Sequence, residues 1–140
     1  MLHASGPLYS GTFNGWKSTI EDLRQIGIPH VVVLSPVPAW KRGLPGQMQS
    51  YYITHRELLA QRSQQFVNNL WEPAIAKRFF ADQSVEYISA WDVFCNEAGC
   101  LTRLDGSNAI TASDYQHLTD EASVFLINSI ANRIFPTQGQ

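Results

Sequence analysis

The strongest constraint on the fold is the apolar, β-branched run HVVVLS at positions 30–35. Such a run is typical of a strand buried on both faces of a parallel sheet. Upstream, apolar residues recur at helical spacing over 16–26, which predicts a helix that starts at Asn14 or Gly15 and stops at Gly27. Residues 1–4 are apolar and predict the end of a preceding strand. A strand, a helix and a second strand joined by short links form a βαβ unit.

The middle of the chain continues the alternation of strands and helices. Residues 36–46 form a loop at the carboxyl end of the strand, the edge where ligands bind in open α/β sheets. Residues 51–80 predict mostly helix, kinked or divided at Pro73 because proline removes a helix hydrogen bond. Residues 85–89 predict a further strand. We therefore expect an α/β protein built on a parallel sheet.

Composition and charge exclude several classes of protein. With 140 residues, 44% of them hydrophobic and 16% charged, the chain is one ordinary globular domain. A net charge of −2 provides no basic footprint for nucleic acid. The apolar runs are too short to cross a bilayer, and no charged segment followed by an apolar stretch precedes the domain. We expect the chain to carry no export signal of its own.

Near the end of the chain, Asp114 stands three residues before His117 in a polar segment that runs into a final helix. An Asp at this spacing can accept a hydrogen bond from one imidazole nitrogen and leave the other as an outward-facing base. The alternative is that Asp114 and His117 only cap the helix. Thr119 is also placed to cap this final helix. The apolar residues on the inward face of the helix are Ala122, Leu126, Ile130 and Ile134.

Three sequence blocks together resemble the C-terminal end of an SGNH hydrolase-type domain. They are CNEAGC at 95–100, Asp105-Gly106, and Asp114-x-x-His117-Leu118-Thr119. The resemblance is closest to the SGNH domains fused to bacterial membrane acyltransferases that O-acetylate cell-surface polysaccharides. Ala122-Ser123 departs from the pattern, since Gly-Ala is more typical there. The resemblance implies a flavodoxin-like, three-layer α/β/α fold with about five parallel strands.

The family's nucleophile motif is missing from this sequence. SGNH domains place their Ser after the first strand in Gly-Asp-Ser, which occurs nowhere here; Asp105-Gly106-Ser107 has another order and follows no strand. The three strands identified above match the last three of the family. We therefore expect residues 1–140 to be a single partial SGNH-type domain, with its first strands and nucleophile before Met1. Ser5 is an alternative nucleophile, although the strand before it is short.

The resemblance also implies the chemistry of the site. His117 would act as general base and then general acid, and Asp114 would fix its tautomer, in hydrolysis of an acyl ester or transfer to a sugar hydroxyl. Asn14 is the nearest candidate for the oxyanion site. Trp40 is a candidate for substrate contact because its loop follows the carboxyl end of a strand, and the alternative is a surface loop anchored by this Trp. This chemistry needs no metal and no organic cofactor. The chain alone is expected to lack activity.

The resemblance bears on the cysteines and on partners as well. Cys95 and Cys100 would be free thiols in a reducing compartment, and one such pair is a poor zinc site. With the family likeness included, a disulfide and an oxidising compartment are favoured, with Cα atoms about 4.4–6.8 Å apart. The expected location is periplasmic, within a larger membrane protein with an attached acyltransferase domain.

Two further expectations concern what the chain contacts. The substrate would be an acylated sugar or polysaccharide. The absence of the first strands would expose a sheet edge and favour self-association. The alternative function is a non-catalytic α/β module that binds carbohydrate or protein and retains Asp114 and His117 only as relics.

Overall fold

The computed structural model describes the backbone of residues 2–3, 10–68 and 73–135, and the side chains of residues 15–68 and 75–135. In chain order the elements are β1 Leu2–His3, α1 Ser10–Gln25, β2 Val32–Leu34, β3 Ala39–Trp40, α2 Leu44–His55, β4 Arg62–Ser63, β5 Val67–Asn68, α3 Pro73–Ala81, β6 Glu86–Ile88, α4 Ala90–Phe94, β7 Cys95–Asn96, β8 Gly99–Leu101 and α5 Asp120–Ile134. None of the described helices is long and apolar enough to cross a membrane.

The elements fall into two compact units. Met1–Pro36 and Leu70–Ala90 form the first, which we call the parallel unit because its three strands all run in one direction. Val37–Asn69 and Trp91–Gln140 form the second, which we call the antiparallel unit after its strand pairs. The expectation of an α/β protein with a parallel sheet is confirmed, and the antiparallel pairs are an addition to it.

The parallel unit contains the predicted βαβ arrangement. The strand order is β1-β2-β6, and Val33 lies opposite Leu2 on one side and Tyr87 on the other. All of β2 is buried, as its β-branched composition predicts. Helix α1 begins at Ser10, four or five residues before the start predicted at Asn14 or Gly15. Gly27 follows its end with φ +86°, a conformation that glycine adopts without steric penalty.

Aromatic packing supports the sheet of the parallel unit. Phe80 on α3 is fully buried and stacks on Tyr87 of β6, with ring centroids 5.2 Å apart. Trp16 on α1 contacts the same Phe80 edge-on at 5.8 Å. At the carboxyl end of β2, the buried Ser35 Oγ accepts a hydrogen bond from the Ala90 N–H at 2.8 Å. One phenyl ring therefore connects both helices to the sheet.

The antiparallel unit differs from prediction over residues 56–68. The expected helix is interrupted there, because Arg56 adopts a left-handed conformation with φ 58° and ends α2. Phe66, with φ 66°, reverses the chain again, so β4 pairs with β8 and β5 pairs with β3. Pro73 is the first residue of α3 and not a kink, a position where its missing N–H is tolerated.

The final helix of the antiparallel unit confirms the predicted cap and stripe. Thr119 is the N-cap of α5, and its Oγ1 accepts from the Ala122 N–H at 3.3 Å. Ala122, Leu126 and Ile130 are buried, whereas Ile134 is only half-buried. Asp120 and Glu121 lie in the first turn, where a negative charge is favourable toward the helix dipole.

Candidate active site

The Asp114–His117 segment is a closed loop with a narrow base. Ala112 pairs with Leu118 in an antiparallel bridge. The Ser113 N–H donates to the His117 carbonyl at 2.8 Å, and the Ser113 hydroxyl donates to the same oxygen at 3.2 Å. These bonds close the loop between residues 113 and 117 and leave 114–116 as its tip.

Within this loop, Asp114 orients both the backbone and the imidazole. One carboxylate oxygen, Oδ1, accepts from the backbone N–H groups of Gln116 and His117, each at 2.9 Å. The other, Oδ2, lies 2.7 Å from His117 Nδ1, within the hydrogen-bond range expected of such a pair. Asp114 does not cap α5, because that position belongs to Thr119. The geometry therefore excludes the simple capping alternative for Asp114.

The hydrogen bonds also determine the protonation of the carboxyl group. The pKa of Asp114 is lowered from 3.8 to about 2, first by the backbone N–H of His117, then by the His117 side chain and by the Gln116 N–H. Asp114 is therefore a carboxylate at neutral pH. A carboxylate at Nδ1 favours the tautomer that carries its proton there, so that Nε2 is left as the basic nitrogen.

The basic nitrogen is accessible. The His117 side chain is 75% exposed, and among the described residues no group forms a hydrogen bond with Nε2. A hydroxyl group could approach this nitrogen and give up its proton to it. The arrangement can thus orient a base, and the catalytic role of the two residues stays a prediction.

Two backbone contacts anchor the tip of the loop. The Asp114 carbonyl accepts from the Leu44 N–H at the start of α2, at 3.0 Å, and the Tyr115 carbonyl accepts from the Trp40 N–H at 2.6 Å. A Cβ on Gly43 would lie 3.4 Å from the Asp114 carbonyl carbon, and the φ of Gly43 is +81°. This anchor was not predicted from the sequence, although Pro45, two residues after Gly43, is a signal for a helix start.

Buried threonines connect the loop to β8. The Thr111 hydroxyl donates to the Leu101 carbonyl at 2.6 Å, and the Thr111 N–H donates to the Thr102 carbonyl at 3.0 Å. At the other end of the loop, the Thr119 hydroxyl donates to the Ile110 carbonyl at 2.7 Å. The position of the Asp–His loop therefore depends on β8, the strand that contains the second cysteine.

The two cysteines form a disulfide across that hairpin. The S–S distance between Cys95 and Cys100 is 2.05 Å, and their Cα atoms are 4.0 Å apart. The Cα distance is shorter than the expected range, and the two residues lie directly opposite each other in the β7–β8 ladder. Arg62 supports the hairpin by donating from Nη1 to the Phe94 carbonyl at 2.9 Å and the Gly99 carbonyl at 3.3 Å.

Of the other candidate residues, Trp40 alone has a described side chain. Trp40 is 1% exposed, and an indole this deeply buried presents no face to a substrate, so its predicted substrate contact finds no support. Asn14 lies in α1, and its side chain is outside the described residues, as is all of Ser5. In the part of the chain that the structure describes, no three His, Cys, Asp or Glu side chains group as a metal site would require.

Comparison with known proteins bears on the whole chain. In structure, it is similar to the periplasmic domain of a lipopolysaccharide acetyltransferase from Salmonella ser. Paratyphi A, with a TM-score of 0.75 and 31% sequence identity. The match covers 86% of this chain and 48% of the other, so the chain spans about half the length of that domain. No curated protein matches the chain in sequence.

The family comparison agrees with the structural one and confirms the resemblance inferred from the sequence. The model that matches describes the SGNH domain that is fused to AT3 domains, and it covers residues 3–132. This range includes both cysteines as well as Asp114 and His117. Since that model spans nearly all of the sequence, the chain belongs to the family of SGNH domains fused to AT3 domains.

Proposed function

We propose that this chain supplies the acid–base half of an SGNH-type esterase or O-acyltransferase that acts on acylated carbohydrate. The observation that carries the proposal is the 2.7 Å contact between Asp114 Oδ2 and His117 Nδ1, with the imidazole largely exposed. The nucleophilic Ser lies outside residues 1–140, because no Gly-Asp-Ser motif occurs among them. The lipopolysaccharide acetyltransferase to which the chain is similar supports the choice of substrate class.

In this mechanism the imidazole moves one proton in each half-reaction. His117 Nε2 takes the proton of the Ser hydroxyl as its oxygen attacks the acyl carbonyl. Collapse of the tetrahedral intermediate breaks the ester bond, and the departing alkoxide takes that proton from Nε2. A sugar hydroxyl or water then attacks the acyl-enzyme and gives its proton to Nε2, which returns it to Ser as the product leaves. Asp114 keeps its negative charge throughout and stabilises the imidazolium.

We also propose a setting for the reaction. The fusion of related SGNH domains to AT3 domains supports an attached membrane acyltransferase as the source of the acyl group. The neighbouring structure is a periplasmic domain, and the Cys95–Cys100 disulfide suits an oxidising compartment. The proposed location is therefore periplasmic.

The test compares this chain with one extended upstream along its own gene. On a small acetyl ester, the extended protein should be active and the 140-residue chain should remain at background. In the extended protein, His117→Ala should lower kcat by on the order of 10⁴-fold or more, and Asp114→Asn by roughly 10³–10⁴-fold. The matched controls are His55→Ala, an exposed histidine on α2, and Asp105→Asn, an exposed carboxylate in a turn; both should retain activity.

Two results would contradict the proposal. Equal activity in the short and extended chains, abolished by Ser5→Ala, would place the nucleophile within this sequence. Carbohydrate binding without esterase activity in the extended protein would favour the non-catalytic binding module.

Self-association is a further part of the proposal. In the described sheet, β1 pairs with β2 alone and lies at the end of the strand order. A strand edge of this kind can pair with a second chain. Sedimentation should show dimers or larger species of the 140-residue chain and monomers of the extended one, whereas monomers of both would exclude an open edge.

A further inference from the structure

A cavity of about 310 Å³ lies beside the disulfide hairpin in the antiparallel unit. The half-buried indole of Trp91 forms part of its wall, together with the exposed side chains of Gln64 and Asn96. The disulfide itself and the buried Val67 complete much of the lining. Ligand pockets occupy about 300–1,000 Å³, so this cavity suits a single ring-sized group.

The side-chain amides of Gln64 and Asn96 at this cavity each use one polar atom in a hydrogen bond within the protein. The second polar atom of each amide remains for a ligand. Gln64 Nε2 donates to the Glu97 carbonyl at 2.7 Å, which leaves Oε1 as an acceptor without a partner among the described residues. Asn96 Oδ1 accepts from the Ala98 N–H at 2.9 Å, which similarly leaves Nδ2 as a donor. An acceptor and a donor near an aromatic wall match neighbouring hydroxyl groups, since each hydroxyl can donate and accept.

The charge of the lining narrows the class of ligand. None of the described residues that line the cavity carries a formal charge. A phosphate or carboxylate would find no cation there to offset its desolvation. A neutral polyhydroxylated ring can pack its apolar C–H face against the indole and form hydrogen bonds to the amides through its hydroxyl groups. It therefore matches both the aromatic and the polar residues of the lining.

The cavity is also joined to the Asp–His loop through β5. Val67 in the cavity wall is followed directly by Asn68, whose Nδ2 lies within 3.5 Å of the Tyr115 hydroxyl. Tyr115 is the neighbour of Asp114 in the chain, and its carbonyl anchors the loop to Trp40. A ligand in the cavity would therefore contact the strand that supports the proposed catalytic loop.

We infer that this cavity is a subsite for one neutral sugar residue of the acceptor, which stacks on Trp91 and hydrogen-bonds to Gln64 Oε1 and Asn96 Nδ2. The inference rests on the proposed function for the identity of its ligand as carbohydrate. The subsite positions the sugar and takes no part in bond making.

The experiment is an NMR titration of the ¹⁵N-labelled chain with the methyl glycosides of glucose, galactose, mannose and rhamnose. At least one glycoside should shift the Trp91 indole and the Gln64 and Asn96 amide resonances saturably, whereas glycerol should not. Trp91→Ala should weaken binding at least about tenfold, and Trp91→Phe by less. Gln64→Ala should weaken it about threefold or more, while Gln65→Ala, its exposed neighbour, should leave it unchanged.

Three outcomes would overturn the inference. These are no shift with any of the four glycosides, shifts confined to other residues, or equal binding by the Gln64→Ala and Gln65→Ala proteins. Gln64 is exposed, so its variant remains informative even where Trp91→Ala fails to fold. The titration needs no acyl transfer, and the acetyl-ester assay needs no sugar. Glycoside binding without esterase activity would contradict the proposed function but not the subsite. Esterase activity without glycoside binding would contradict the subsite but not the proposed function.

Discussion

The parallel and antiparallel units obtain their structures from different kinds of sequence information. In the parallel unit, β2 is a continuous apolar run, and Gly27 ends the helix before it. In the antiparallel unit, β4 follows the left-handed Arg56, and it meets β8 where Gly99 lies directly against the Ser63 backbone. Local patterns therefore determine the first unit, whereas close backbone approaches determine the second.

The largest expected effect is at Gly99 in the antiparallel unit, where an added side chain would meet the backbone of β4. A Cβ there would lie 2.3 Å from the Ser63 carbonyl carbon, and φ is +116°. Gly99→Ala should lower the free energy of unfolding by about 3 kcal/mol or more, since clash and strain add. Gly27→Ala in the parallel unit meets open space, so it should cost only about 1 kcal/mol. Urea unfolding measures both, and equal losses would contradict the contrast.

The next effect concerns the disulfide. Replacing both Cys95 and Cys100 by Ala should destabilise the β7–β8 hairpin by about 2 kcal/mol, because the unfolded chain gains loop freedom. Hydrogen exchange should show faster exchange at β8 and at Thr111, with β2 little affected. If the amides of β2 lose as much protection as those of β8, the two units do not differ in the way described.

A smaller effect is expected at the helix cap. Thr119→Ala removes the acceptor for the Ala122 N–H and the donor to the Ile110 carbonyl, and should cost about 1 kcal/mol. Thr119→Ser keeps both bonds and should recover most of the loss. Thermal unfolding of the two variants provides the measurement, and no difference between them would show that the hydroxyl is unimportant.

The smallest effect is the acid dependence of the Asp–His loop. Since the pKa of Asp114 is lowered from 3.8 to about 2, its contribution to stability is complete above pH 3.8 and is lost as the pH falls toward about 2. Asp114→Asn should remove this part of the acid dependence, and Asp105→Asn should not. Urea midpoints across that pH interval measure it, and identical profiles for wild type and Asp114→Asn would contradict the assigned hydrogen bonds.

The features that could be predicted from sequence are those with a local physical cause. The buried strand β2, the Thr119 cap and the Asp114–His117 contact each depend on residues within one short stretch. The disulfide also joins residues of one hairpin, although the family resemblance was needed to choose it over free thiols.

The features that were missed depend on residues distant in sequence or on unusual backbone angles. Arg56 and Phe66 have positive φ values without being Gly or Asn, so nothing in their identity predicted that the helix would stop. Trp40 was expected near a substrate because it follows a strand, yet its indole is buried within the antiparallel unit. Burial of this kind is decided by packing partners that a single sequence does not reveal.

The Asp114–His117 loop shows that a side chain can be exposed to solvent and still be held in one orientation. His117 is open to solvent, but its ring is bonded to Asp114, and the carbonyls of Asp114 and Tyr115 are held by the Leu44 and Trp40 N–H groups. The rotational entropy of the imidazole is therefore reduced when the chain folds, before any reactant arrives. A hydroxyl nucleophile would meet a base already aligned for proton transfer, so substrate binding energy is not consumed in ordering it.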